Sequence, residues 1–267
     1  MTDRDNKIYE RLRHDVKYVK NIGYEVFGVF LQGSQNYNLD YEGSDIDTKC
    51  IVIPTLEDIV LNKKPVSTTL ILEDNSHIDV KDVRLMWDCF KKQNINFLEI
   101  LFTKYYIVNS RYELFWNDMI EIRERIAHYD NYKAVNCISH IVEEKHAALC
   151  HPYPTLKDKI DKWGYDNKQL HHSIRGEEFL VRYINGVPYK KCLISEKKDY
   201  LIDVKSKYIY NLEQAKHISK SIVERVKAIR DKYLSENEHI IDTECEDTMT
   251  DILIDILRRS LQEDLSK

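Results

Sequence analysis

Asp45 and Asp47 are the residues whose type and spacing point most directly to chemistry. They stand two apart at the entry to an apolar run, Cys50 to Ile53, and on a strand the side chains of i and i+2 share a face. Two carboxylates so close repel each other unless a positive charge lies between them. A divalent metal is the usual one, and Mg²⁺ takes a pair of carboxylates together with phosphate oxygens. Upstream, Gly33-Ser34 follows a second apolar run, Val26 to Leu31, and ten residues separate Ser34 from Asp45. A glycine-serine turn at a strand end leaves backbone N–H groups to cradle phosphate. Gly33, Ser34, Asp45 and Asp47 together predict a site for a nucleoside triphosphate and metal.

Gly33-Ser34 followed at this spacing by Asp45-Ile46-Asp47 resembles the signature of the DNA polymerase β superfamily of nucleotidyltransferases. The resemblance implies a third carboxylate on a nearby strand, and His77-Ile78-Asp79-Val80 offers Asp79. It implies that Asp45, Asp47 and Asp79 are both catalytic and metal-ligating, holding two Mg²⁺ ions (or Mn²⁺) about 3.5–4 Å apart. One ion would activate an acceptor hydroxyl and the other would bind the triphosphate, with Asp79 the candidate to receive the hydroxyl proton. Gly33 and Ser34 would position the β- and γ-phosphates, with Gln35, Asn36 and Tyr37 lining the same pocket; Tyr37 is equally suited to packing.

Further matches extend the resemblance. Asp79-Val80-Lys81-Asp82, Asn96-Phe97-Leu98-Glu99-Ile100-Leu101, Gly164-Tyr165-Asp166-Asn167-Lys168 and His171-His172-Ser173-Ile174-Arg175 are similar to a bacterial and phage branch named for an RNA-repair pathway. The similarity covers roughly residues 22–190, at the level of motif reading. The branch tends to carry Tyr-Gly where this chain has Tyr37-Asn38, and Asn tolerates left-handed dihedrals. Lys168, His172 and Arg175 fall at i, i+4 and i+7, one face of a helix. They are expected to bind triphosphate or nucleobase across a cleft, with Arg175 the bidentate phosphate clamp and His171, about 100° away, a substitute for His172. The bland alternative is a solvated charged face. Lys49 and Lys81, each two residues past an expected ligand, share its strand face; they would contact phosphate, or simply pair with the carboxylates.

The elements that must hold these residues read in order. An amphipathic helix over 4–21 ends at Gly23. Strands follow over Tyr24–Gln32 and Asp45–Ile53, then a short helix capped by Thr55 with Asp58. Two further strands, Ser67–Leu72 and Ser76–Val83, flank a hairpin-like turn at residues 73–75. From Val83 the pattern is helical: 84–92, 97–101, 112–128, 131–150, 168–184, 212–234 and 248–265. Glu99 opens one of these and reads as structural. The expected fold is α+β: a polymerase-β-like domain with a small mixed sheet over 1–110, then a helical domain over 111–267 that closes the nucleotide cleft. The boundary is soft, because no Gly/Ser/Pro linker marks it.

Composition sets outer bounds. The 267 residues are 43% apolar and 32% charged, which fits a folded chain with an ample core. No apolar run approaches the ~18 residues of a membrane span and no signal-peptide pattern opens the chain, so a cytoplasmic protein without a membrane partner is expected. The six Cys show no Cys-x-x-Cys pair and read as reduced, buried thiols. Cys137, His140, His146, Cys150 and His151 lack the paired clustering of structural zinc. Trp87, Phe90, Phe115 and Trp116 read as core. From Glu236 onward ten Asp/Glu face three Lys/Arg, of 45 and 40 in the chain, so the acidity is concentrated at the C-terminus and the remainder is near neutral. An NTP substrate with an RNA or tRNA end as acceptor is the expectation, from the family resemblance alone. A protein or small-molecule acceptor, or a non-catalytic nucleotide-binding regulator, stays open.

Overall fold

Five strands, β1 (Glu25–Gln32), β2 (Asp47–Ile53), β3 (Ser67–Ile71), β4 (His77–Asp82) and β5 (Tyr106–Val108), make one mixed sheet in the order β3-β4-β2-β1-β5. A computed structural model describes residues 2–41, 44–73 and 76–264. Asp74 and Asn75 of the expected hairpin turn, and Leu265 at the end of the last expected helix, lie outside the described residues. β1 is antiparallel to β2 and to β5, β3 is antiparallel to β4, and β2 with β4 is the parallel pair. The chain is α+β, with helices predominating.

Alternation divides the sheet into two unlike faces. Val29 and Leu31, Cys50 and Val52, and Ile78 and Val80 point to one face, buried against Ile8, Leu12 and Val19 of α1 (Asp3–Asn21). Burying each such side chain contributes roughly 1.5–3 kcal/mol, which holds α1 across the sheet. α1 starts with a capping box between Thr2 and Asp5. The opposite face carries Phe30 on β1, Asp47 and Lys49 on β2, and His77, Asp79 and Lys81 on β4.

Helix α2 (Leu56–Val60) follows β2, and α3 (Met86–Lys91), α4 (Ile95–Leu98), α5 (Glu113–Glu121) and α6 (Arg123–Ala127) follow β4. Phe97 of α4 and Trp116 of α5 lie against this second face. Thr55 and Asp58 form the expected capping box at α2. Phe30 packs on Trp116 of α5 with ring centroids 4.6 Å apart, and Phe27 packs on both Tyr112 and Trp116. These contacts keep residues 111–129 with the sheet. Trp87, Phe90 and Trp116 are core as expected. One helix was expected over 112–128; the chain breaks it at Ile122, where ψ turns to 10°.

The remaining helices are α7 (Asn131–Ala148), α8 (Lys157–Trp163), α9 (Asn167–Ile184), α10 (Tyr189–Leu193), α11 (Lys198–Ser206), α12 (Leu212–Glu236) and α13 (Thr243–Asp264). Residues 2–36, 44–73, 76–129 and 242–264 form one compact unit, and residues 37–41 with 130–241 form a second. In the second, α7, α9 and α12 pack together, and Gly176 of α9 is essential to their spacing: a Cβ there would lie 2.6 Å from Val142 Cγ2 on α7. The acidic C-terminus has a structural explanation in the first unit. Arg125 Nη2 pairs with Asp242 at 2.7 Å and Glu244 at 3.0 Å, Lys91 pairs with Glu246 at 3.3 Å, and the Tyr129 hydroxyl donates to Glu246 at 2.6 Å. No disulfide joins the described cysteines, and no described helix is long and apolar enough to cross a membrane.

Candidate functional site

Where β1 ends and β2 begins, Gly33 takes φ +78°, a conformation open to glycine and strained for most other residues. A Cβ on Gly33 would lie 3.9 Å from Asp47 Oδ2, so the turn and the carboxylate are neighbours, as their spacing in the chain predicted. The turn is held by a residue the sequence reading left as merely structural. Gly33 N–H donates to the Glu99 carboxylate at 3.2 and 3.1 Å, and Asn36 Nδ2 donates to Glu99 Oε2 at 3.2 Å and to the Leu31 carbonyl at 2.7 Å. Thr103 Oγ1 donates to Asn36 Oδ1 at 2.6 Å, and Glu99 itself is buried. The Gly33 amide, expected to face phosphate, is therefore directed at a carboxylate. The Ser34 hydroxyl makes no hydrogen bond to a described residue.

The three aspartates differ in their surroundings. Asp45 is exposed ahead of β2 and has no hydrogen bond or ion pair among the described residues. Asp47 opens β2 with its side chain 39% exposed, and His77 Nδ1 lies 3.9 Å from its Oδ1. Asp79 shares that face one strand over, in direct register with Lys49. Lys49 Nζ forms an ion pair with Asp79 Oδ2, and Lys81 Nζ lies 3.3 Å from Oδ1. Lys81 also donates to Ser67 Oγ at 2.7 Å. Lys49 is only 4% exposed, and its ammonium stands 5.0 Å above the ring centre of Phe97. Among the described residues no group of three or more His, Cys, Asp or Glu is arranged to hold a metal ion. Asp47 and Asp79 do share a face, but the positive charges at Asp79 come from lysines.

The second unit presents a different chemistry on α9, whose N-terminus is capped by Asp166. Lys168 is exposed, while His172 and Arg175 are half-buried. The Arg175 guanidinium lies on the Tyr37 ring, 3.6 Å from its centroid. Its Nε and one terminal nitrogen are shielded from solvent and have no hydrogen-bond partner among the described residues. Tyr37 is thus a packing platform for Arg175, joined by Lys205, which donates to the Leu39 carbonyl at 3.2 Å and lies over Tyr41. Asn38, between these anchors, adopts φ +55°, the left-handed conformation its amide side chain tolerates.

His171 is buried, and its Nδ1–H donates to the Leu201 carbonyl on α11 at 2.9 Å, which fixes the tautomer. Burial, with Arg175, Lys205 and Lys168 nearby, pushes it down to about 4. Burial and the neighbouring His171 and Arg175 push His172 well below the usual histidine range. Both imidazoles are neutral at physiological pH, so Arg175 and Lys168 carry the positive charge of this face. His171 is a strut between helices, and its position on the helix wheel gave no sign of that.

Compared with known families and curated proteins, the chain matches no family model and no curated relative.

Proposed function

We propose that the protein is a nucleotidyltransferase with a polymerase-β-like catalytic domain. It would transfer a nucleoside monophosphate from an NTP to a hydroxyl acceptor, an RNA or tRNA end by preference, and release pyrophosphate. The observation that carries the reading is the Gly33 turn set against the Asp47 carboxylate at one end of a mixed sheet. The antiparallel β1–β2 pair beside the parallel β2–β4 pair supports it, because this arrangement turns Asp47 and Asp79 to one face.

The carboxylates fit one cation better than two. Mg²⁺ commonly uses one or two carboxylates and completes its shell with water and substrate phosphates. Asp45 and Asp47, both accessible to solvent, suit such an ion carried in by the triphosphate. Bound there, the ion would draw charge from the phosphate oxygens and favour departure of pyrophosphate. Asp79, engaged by two ammonium groups, does not fit a metal in this arrangement. The chain's own part is to orient the triphosphate with the Gly33-Ser34 turn and the Ser34 hydroxyl. Separately, and within the second unit, Arg175 presents a guanidinium suited to a phosphate or another oxyanion.

Incubation with each labelled NTP, Mg²⁺ and total RNA tests the reading. Label entering RNA and lost in Asp47→Asn is the expected result, with activity reduced on the order of 10³-fold, as for removal of one preorganised charge at a reacting phosphate. Label in protein or a small molecule would keep the chemistry and change the acceptor. The engaged state of Asp79 favours a second reading, a nucleotide-binding protein without turnover; NTP-dependent stabilisation without any transfer would select it.

A further inference from the structure

We propose that Lys49 occupies the place of a second cation, so that the site works with a single divalent ion, the one bound to the nucleotide. The inference rests on the nucleotidyl-transfer reading and deepens it. Two-metal transfer needs a carboxylate shared between ions. Here the carboxylate on the same face of the neighbouring strand is Asp79, and each of its oxygens faces an ammonium. These are not loose surface lysines. Lys49 is buried to 4% exposure, stands over Phe97 and is in register with Asp79; Lys81 is also tied to Ser67. A dication arriving at Asp79 would meet two like charges at close range, one of them on a buried lysine.

An ammonium in this position can serve the same electrostatic end as a cation. Lys49 lies two residues beyond Asp47 on the same face, so its charge, paired with Asp79, is placed on the face that Asp47 shares. In the transfer step the acceptor oxygen bonds to the α-phosphorus and the bond from that phosphorus to the bridging oxygen breaks. The electron pair leaves with pyrophosphate, and the hydroxyl proton passes to water. Lys49 is a positioning residue for this step: it keeps Asp79 as its counter-ion and fixes positive charge beside the metal-bearing carboxylates.

Mn²⁺ titration of the full chain, followed by electron paramagnetic resonance with the α,β-methylene analogues of the four NTPs, tests the inference without turnover. One nucleotide-dependent Mn²⁺ per chain is expected, unchanged in number and affinity in Asp79→Asn. In Lys49→Met, with only Lys81 left beside Oδ1, the freed Oδ2 of Asp79 should admit a second ion. Two ions in the natural chain, one of them lost in Asp79→Asn, would overturn the single-cation site and leave nucleotidyl transfer standing. A count that stays at one in a folded Lys49→Met variant also overturns it. No nucleotide-dependent ion at all would remove the transfer reading together with this one. Should Lys49→Met not fold, the Asp79→Asn arm decides alone.

Discussion

The charged face of the sheet and the charged face of α9 handle the same problem in opposite ways. On the sheet, Asp79 is matched by Lys49 and Lys81, and Asp47 has His77 nearby. On α9, burial holds His171 and His172 neutral, and Arg175 keeps shielded donors with no partner among the described residues. A compensated cluster is stable as it stands and has little left to give a ligand. An uncompensated, desolvated guanidinium is costly until an anion arrives, because an unmade buried hydrogen bond forfeits the hydration of its donor. The Asp79 cluster is therefore built for order and Arg175 for capture.

The largest effect expected is on stability, and it comes from His171. Its folded-state value near 4 lies below the usual 6.5 of the unfolded chain, so the unfolded state binds the proton more readily between those values. Stability from a neutral His171 is fully present above pH 6.5 and is lost as pH falls toward 4. The shift corresponds to on the order of 3 kcal/mol at the acid end. Amide hydrogen exchange along α9 should report loss of protection over this window. His171→Asn, which can keep a donor to the Leu201 carbonyl without titrating, should flatten the profile, leaving the share due to His172. A profile unchanged in this variant would show that the strut is not the acid-sensitive element.

A smaller effect, about 2 kcal/mol, is expected at Arg175 and has opposite signs with and without ligand. Arg175→Ala should leave the ligand-free melting temperature unchanged or raised, since it removes shielded donors that have no partner among the described residues. It should also weaken binding of inorganic pyrophosphate by about 30-fold. Arg175→Lys should recover only part of that binding, because an ammonium cannot lie flat on Tyr37 and offers no planar fork. Strong destabilisation of the ligand-free Ala variant would mean that the guanidinium is already satisfied, and the contrast with the sheet would dissolve.

What was legible in the sequence was local. Gly33 beside Asp47, the Thr55–Asp58 cap, and Asn38 in a left-handed turn each depend on residues near in the chain or on one strand pair with apolar alternation. The alternation also placed Lys49 and Lys81 on the faces of Asp47 and Asp79. It could not supply the register of β2 on β4, a parallel pairing across a long connection, and that register decides whether Asp79 meets a metal or Lys49. The stacking of Arg175 on Tyr37 was invisible for the same reason. β5, with three half-buried residues, is too short for any periodic signal, as are α8, α10 and α11.

Glu99 offers the smallest effect and the most direct test of how the sheet end serves phosphate. Its carboxylate accepts from the Gly33 amide and from Asn36 Nδ2. Glu99→Gln keeps the shape but turns one acceptor oxygen into a donor group, so one of these bonds must be lost and the others lose their charge. Hydrogen bonds to ionised groups exceed neutral ones by roughly 1 kcal/mol, and urea unfolding should show a loss of that size. The nucleotide affinity of the same variant separates two roles. If Glu99 is a permanent brace, the loosened Gly33 turn binds NTP more weakly. If instead the Gly33 amide is released to the phosphate on binding, removing its competing carboxylate charge makes binding tighter. The burial of Glu99 and its hold on Asn36, which Thr103 fixes in turn, favour the brace, and weaker binding is the expected outcome.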